Sequence, residues 1–214
     1  MNVTVFGATG GVGRLVVDEL RGNGHRVTAY VRSPAKVPDS WGDEVTVVVG
    51  ELTDTASVDR VVEGADAVVS AVGPSLDRTT TGHPLVEGTR TIVEAMRRHR
   101  VRRYVGIGTA SVPDPRDRAA AWRPRTSTLM ARTFGRRSHD ELVGMCEVVM
   151  ASGLDWTIVR FIDPQDGPAL GRFRHGFFGR AKLGRTITRA DLAAFTAAQV
   201  DDPTYVHALP AVSN

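Results

Sequence analysis

The sequence predicts an α/β fold, a doubly wound parallel sheet with helices on both faces. Three observations carry that prediction. Over the first 110 residues, short apolar runs alternate with stretches of helical periodicity, the pattern of strands joined by crossover helices. The runs are β-branched and apolar along their whole length, as expected of strands covered on both faces. A glycine-rich segment, residues 7–13, stands at the first strand-to-helix junction.

The elements follow in order. Residues 3–6 (Val-Thr-Val-Phe) make strand one, and residues 12–21 the first helix, which Gly22-Asn23-Gly24 stops. Residues 27–31 and 45–49 read as strands two and three. A helix begins near Thr55 with Asp54 as its N-cap, and residues 67–72 form strand four. A helix over 85–99 turns Val86, Ile92, Val93 and Met96 inward, and residues 104–107 form strand five. Residues 112–127 contain Pro113, Pro115 and Pro124 with several arginines. They predict a long polar loop, of the kind that serves as a functional lid or mobile segment. A helix over 139–152 ends at Gly153, and residues 156–159 are strand six. From Arg160 onward the chain predicts irregular structure apart from a helix near 189–200. One domain over residues 1–214 is the expectation for this length, with residues 160–190 forming a small C-terminal substrate lobe.

Composition narrows the classes. Apolar residues make up 42% of the chain, enough for a sizeable core, yet no apolar run approaches the roughly 18 residues of a membrane span. The start, Met1-Asn2-Val3-Thr4-Val5, enters a strand at once without a basic leader, so a cytoplasmic location is expected. Cys146 is the sole cysteine, which excludes an internal disulfide; its apolar helical surroundings predict a buried, inert thiol. The six histidines show no metal-ligand spacing, so no metal is expected. Net charge is +3, with Lys36 and Lys182 the only lysines among 27 basic residues. Two segments, 97–103 and 116–137, are densely basic. Neither carries a nucleic-acid motif or interleaved aromatics, so a helix C-terminus and a polar connection account for them, and no nucleic acid is expected. A monomer or homodimer is expected.

The chemistry begins at Gly7-Ala8-Thr9-Gly10-Gly11-Val12-Gly13. Gly7 permits the tight turn, Gly10 lets backbone approach a pyrophosphate, and Gly13 lets helix and strand pack closely. The helix N-terminus offers amides and a positive dipole to the phosphates. In this context the motif predicts a dinucleotide site in a Rossmann-like fold. The end of strand two selects the nucleotide. It reads Tyr30-Val31-Arg32-Ser33-Pro34-Ala35-Lys36, with no acid to hold a ribose 2′-hydroxyl. Arg32 can grip a 2′-phosphate through its planar fork and Lys36 adds a point charge, so NADP(H) is preferred over NAD(H). A solvated basic turn is the alternative. Glu51 and Leu52 are placed to flank the adenine, and Val72-Gly73-Pro74 to approach the cofactor after strand four.

These motifs resemble the atypical short-chain dehydrogenase/reductases, the NAD(P)H-binding, NmrA-like group, and within it the flavin and biliverdin-IXβ reductase branch. The resemblance covers nearly the whole chain. It adds Gly50-Glu51-Leu52-Thr53-Asp54, Glu87-Gly88-Thr89-Arg90-Thr91-Ile92, residues 151–160, Asp166-Gly167-Pro168-Ala169-Leu170-Gly171 and residues 187–193 to the segments already quoted. It implies that Thr9, Gly10, Val12, Arg32, Lys36, Glu51, Leu52 and Gly73 contact the cofactor. The group often has Asp where Glu51 stands. Position 163, a substrate-side histidine in the biliverdin and flavin reductases, is Asp163 here, which argues against tetrapyrrole reduction.

For catalysis the firm finding is negative. Tyr30, Tyr104 and Tyr205 are followed four residues later by Pro34, Gly108 and Leu209, so no Tyr-x-x-x-Lys acid exists. Thr109 stands where the group often has a serine, and Ser111 lies two residues on. Either hydroxyl can bond a substrate oxygen or the nicotinamide amide, or merely close a turn. His139 can serve as an acid near neutral pH or lie exposed at a helix N-terminus. Asp140 and Glu147 share one helical face. Phe161, Phe173, Phe177 and Phe178 can line an apolar pocket or pack in the core. The expectation is an NADPH-dependent oxidoreductase acting on a flat or cyclic small molecule (flavin, quinone or aromatic ketone). A nonenzymatic nucleotide sensor and a redox-neutral isomerase, dehydratase or cyclase are the alternatives.

Overall fold

The computed structural model describes residues 1–73, 83–118 and 123–214, and the side chains of these except 123–135. Pro74 and residues 119–122 of the predicted loop therefore lie outside the described residues, as do most side chains of the second basic run. Five helices and ten strands are described: β1 (Asn2–Phe6), α1 (Gly13–Gly22), β2 (Arg26–Val31), β3 (Val45–Val49), α2 (Thr55–Val62), β4 (Ala67–Ser70), α3 (Pro84–Arg98), β5 (Arg103–Thr109), α4 (Arg123–Met150), β6 (Asp155–Phe161), β7 (Asp163–Gln165), β8 (Arg174–Gly176), β9 (Thr186–Thr188), α5 (Arg189–Ala198) and β10 (Ala211–Ser213).

The main sheet has the order β3-β2-β1-β4-β5-β6-β10-β8. Every pairing is parallel except β10 with β8. The chain steps outward from β1 to β3 and then returns to place β4 on the other side of β1. This reversal opens a crevice beyond the C-terminal ends of β1 and β4, the switch point where such sheets take ligands.

Two apolar layers hold the sheet. On one face, Val16, Val17 and Leu20 of α1 pack with Val3, Val5 and Ala29, and α5 adds Ala193 and Ala197. On the other, Val58 and Val62 of α2, Ile92 and Met96 of α3 and Val149 of α4 meet Phe6, Val68, Tyr104 and Ile158. Each such fully buried aliphatic side chain contributes roughly 1.5–3 kcal/mol over an exposed one. Asp54 caps α2 as expected, accepting from the Ser57 amide at 3.1 Å. Among the described residues no helix is long and apolar enough to cross a membrane.

Three expectations need correction. Helix α4 starts at Arg123, not at residue 139. Pro124 read as a loop residue, yet a proline in the first helical turn costs nothing, because its missing amide has no partner there. The loop after β5 is also no free lid where it is described. Asp114 accepts from the Leu209 amide at 2.9 Å, and Arg118 donates its amide to the Phe178 carbonyl at 2.8 Å. Finally, the C-terminal region is more regular than predicted: β7 and β9 form a separate parallel pair, and β10 and β8 extend the main sheet.

Candidate functional site

The glycine segment closes the mouth of the crevice. Gly7 has φ +72°, and a Cβ there would lie 2.7–2.8 Å from the Ala71 and Val72 backbone, so the turn and its approach to the end of β4 both require glycine. A Cβ on Gly13 would overlap the Gly7 carbonyl, which explains how α1 starts so close to β1. Gly10 and Gly11 are exposed, Thr9 and Val12 half-buried. The Gly10 amide donates to the Gly7 carbonyl at 3.0 Å, and the N-terminus of α1 carries no side-chain cap. Amides and dipole at this end remain available to an anion.

At the neighbouring strand end, Arg32 and Lys36 are exposed, and their side chains form no hydrogen bond or ion pair among the described residues. Lys36 ends a short 3-10 turn, residues 34–36, that presents both cations on one connection. The buried Tyr30 hydroxyl donates to the Glu51 carbonyl at 2.9 Å, holding the chain after β3 against the sheet. The Glu51 side chain projects into solvent, while Leu52 packs on Gly88, where a Cβ would lie 2.7 Å from the Leu52 Cβ. Gly73 is exposed, with no atom of the described residues within 4 Å of where its Cβ would be.

At the end of β5, the fold brings Thr109 and Ser111 together with His139, 28 residues further along the chain. Thr109 Oγ1 and Ser111 Oγ lie 3.1 Å apart, and Ser111 Oγ lies 2.9 Å from His139 Nε2. His139 Nδ1 faces the exposed Asp140 carboxylate at 3.5 Å. His139 is a half-buried residue in the middle of α4 rather than an exposed N-terminal one. Because β1, β4 and β5 are parallel, this run and the glycine mouth open on the same edge of the sheet. Asp163, at the start of β7, is exposed and paired in register with Thr186. Glu147 is likewise exposed. Cys146 is buried, and burial pushes its thiol up to about 12.

One family model, described as NAD(P)H-binding, matches residues 7–203. The chain belongs to the NAD(P)H-binding family. Ceramide reductase of Caulobacter vibrioides is 37% identical over 98 residues, covering 44% of this chain and 31% of that protein. The chain spans 10% to 36% of the first curated relatives it matches. Among solved structures, the anaerobillin reductase ChuY from Escherichia coli O157:H7 matches with TM-score 0.80 at 19% identity, over 100% of this chain and 97% of that one. A short-chain dehydrogenase/reductase from Veillonella parvula in complex with NADP matches with TM-score 0.78 at 18% identity, over 100% and 94%. These two establish a shared fold.

The residues present fit the nucleotide of an NAD(P)H-binding protein. The Gly10–Gly11 backbone lies bare above an uncapped helix N-terminus, and the exposed cations Arg32 and Lys36 stand at the end of β2. Sequence reasoning missed the framework beneath the other end of the crevice. Arg160 is fully buried, its guanidinium donating to both Asp117 oxygens at 2.7 and 2.9 Å and to the Val112 carbonyl at 2.9 Å. It stacks over the Phe178 ring at 4.6 Å. Burial alone would raise the Asp114 carboxyl, but Arg116 and the amides of Leu209 and Arg116 outweigh it and hold it below the usual carboxylate range. The motif ending in Arg160 was visible; its partner 43 residues earlier carried no local signal. The phenylalanines mostly pack. Phe178 lies with Ala110 and Ala211, and Phe161 and Phe173 lie against the cluster of Val159, Ile187 and Leu192. Phe177 sits beneath Arg116 at 4.5 Å.

Proposed function

We propose that this chain is an NADPH-dependent reductase of a flat or cyclic small molecule such as a flavin, quinone or aromatic ketone, built as one domain with residues 160–190 bordering the substrate. The observation that carries this reading is the hydrogen-bonded run Thr109–Ser111–His139 on the sheet edge that also bears the glycine mouth. One end of the crevice suits a dinucleotide; the other offers a relay of exchangeable protons. Gly7, Thr9, Gly10, Gly11, Val12 and Gly13 hold the diphosphate, Arg32 and Lys36 the 2′-phosphate, and Glu51, Leu52, Val72 and Gly73 flank the nucleoside. NADPH, when bound, supplies the hydride. Ser111 donates its proton to the substrate oxygen and recovers one from His139, so a carbonyl gains one hydride and one proton. Thr109 orients Ser111. Asp163 borders the lobe side, where its charge disfavours acidic substrates. Ceramide reductase, similar over half of this chain's length or less, supports the reaction class.

The test has two arms. Fluorescence titration should find NADPH bound more tightly than NADH, and Arg32→Ala should weaken NADPH about ten- to a hundredfold while sparing NADH, as expected for a lost charged hydrogen-bonding pair. NADPH oxidation is then followed with flavin, quinone and ketone panels. His139→Phe should lower turnover about a hundredfold or more with nucleotide affinity unchanged. Tight NADPH binding with background oxidation across all panels would reject the reductase in favour of a nucleotide sensor.

A further inference from the structure

The glycine mouth has a second wall, formed by the start of α5. Arg189, its first residue, lays its side chain over Gly11: a Cβ on that glycine would lie 3.5 Å from Arg189 Nε and 3.6 Å from its Cδ. The base of this side chain is rigidly held. Thr188 caps α5 by accepting from the Asp191 amide at 3.0 Å, and its hydroxyl donates to Asp191 at 2.8 Å. The Asp191 carboxylate also takes the amides of Leu170 and Gly171, each at 3.0 Å, and the Asn214 side-chain amide at 2.8 Å. The head of Arg189 is held differently. It pairs at 2.6 Å with Asp166, whose side chain is 90% exposed. Such a solvated carboxylate binds a guanidinium weakly and gives way to a stronger anion.

We propose that Arg189 is a cationic ligand of the dinucleotide's diphosphate, and that Asp166 holds its guanidinium until the nucleotide displaces it. The proposal rests on the cofactor reading above. A guanidinium lying across bare glycine backbone at an uncapped helix N-terminus matches a diphosphate in charge and can bond it through two donors. Displacement frees Asp166 and with it the segment that leads to Leu170 and Gly171. Arg32 and Arg189 divide the labour: the first recognises the 2′-phosphate, the second what NADPH and NADH have in common.

The experiment is titration of the full chain with NADPH, NADH and adenosine 2′-monophosphate, for wild type, Arg189→Ala, Asp166→Asn and Arg32→Ala. Arg189→Ala should weaken NADPH and NADH by a similar factor, about tenfold, leaving their ratio and the affinity for adenosine 2′-monophosphate intact. Unchanged monophosphate binding also establishes that the variant is folded. Asp166→Asn should tighten both dinucleotides about two- to fivefold, because an exposed competitor is removed. Arg32→Ala should change the ratio instead. If wild type binds NADPH and Arg189→Ala binds both dinucleotides as tightly as wild type, the diphosphate contact is wrong while the cofactor reading stands. If Asp166→Asn weakens binding, Asp166 positions Arg189 instead of competing for it, and the exchange is wrong. If wild type binds neither dinucleotide, the cofactor reading itself fails.

Discussion

Arg160 illustrates how much of the site's geometry depends on a single charge. Its guanidinium has no solvent exposure, and its countercharge, Asp117, also accepts the Phe178 amide at 2.9 Å. One ion pair thus joins β6, the loop after β5 and the segment leading out of β8. Removing one member of a buried pair leaves the other uncompensated, which typically costs about 3–5 kcal/mol. Arg160→Met should therefore lower stability to urea by about that amount, and adding Asp117→Leu should recover only part of the loss, because the amides of Phe178 and Asp114 then lose their acceptor. A double variant no more stable than the single would mean that packing rather than charge holds the loop. Cys146 gives a second residue-scale prediction. With its thiol raised to about 12 by burial, almost no thiolate exists at pH 8. Iodoacetamide should label it only after denaturation, and rapid stoichiometric labelling of the native protein would contradict its burial.

At the scale of elements, the glycines of the first crossover separate into those that build the turn and those that leave room. Gly13→Ala would drive a methyl group into the Gly7 carbonyl, whereas a methyl group on Gly11 meets only the flexible Arg189 stem at ordinary contact distance. Gly13→Ala should lower the melting temperature by several degrees, as expected of a loss of about 1–3 kcal/mol from overpacking. Gly11→Ala should leave melting nearly unchanged yet weaken dinucleotide binding. Equal melting temperatures for the two variants would remove the distinction. The contrast also explains what the sequence could disclose. Strands β1 to β6 are four to seven residues long and largely apolar, and they were legible, as were the glycine turn and the Asp54 cap. β7 to β10 have three residues each, too few for any periodicity to show. The start of α4 was hidden because Pro124 and its neighbouring arginines resemble a loop in composition. The Thr109–Ser111–His139 run was half legible: the three residues were recognisable one by one, but a contact across 28 residues is a property of the fold.

For the whole molecule, acid sensitivity follows from two buried carboxylates. Asp114 and Asp191 both lie below the usual range. In Asp191, burial opposes this, but the amides of Leu170 and Gly171 and the side chains of Thr188 and Asn214 prevail. A depressed carboxyl contributes stability that is complete above its unfolded value, about 3.9, and is lost as pH falls toward the folded value. The urea midpoint should therefore be insensitive to these groups above about pH 5 and fall below about pH 4. Asp191→Asn should be less stable than wild type at neutral pH and show a shallower acid-side decline. A variant declining as steeply as wild type would locate the sensitivity elsewhere.

The interposition of β10 between β6 and β8 has a consequence for biosynthesis. A ribosome delivers β1 to β6 first, so this part of the sheet can assemble while β8 still has no strand to pair with. Only when residues 211–213 emerge does the edge of β6 acquire the neighbour that seats β8, and only with Asn214 does the Asp191 hub receive its final donor. Until then β6 remains an open edge that a chaperone would need to shield.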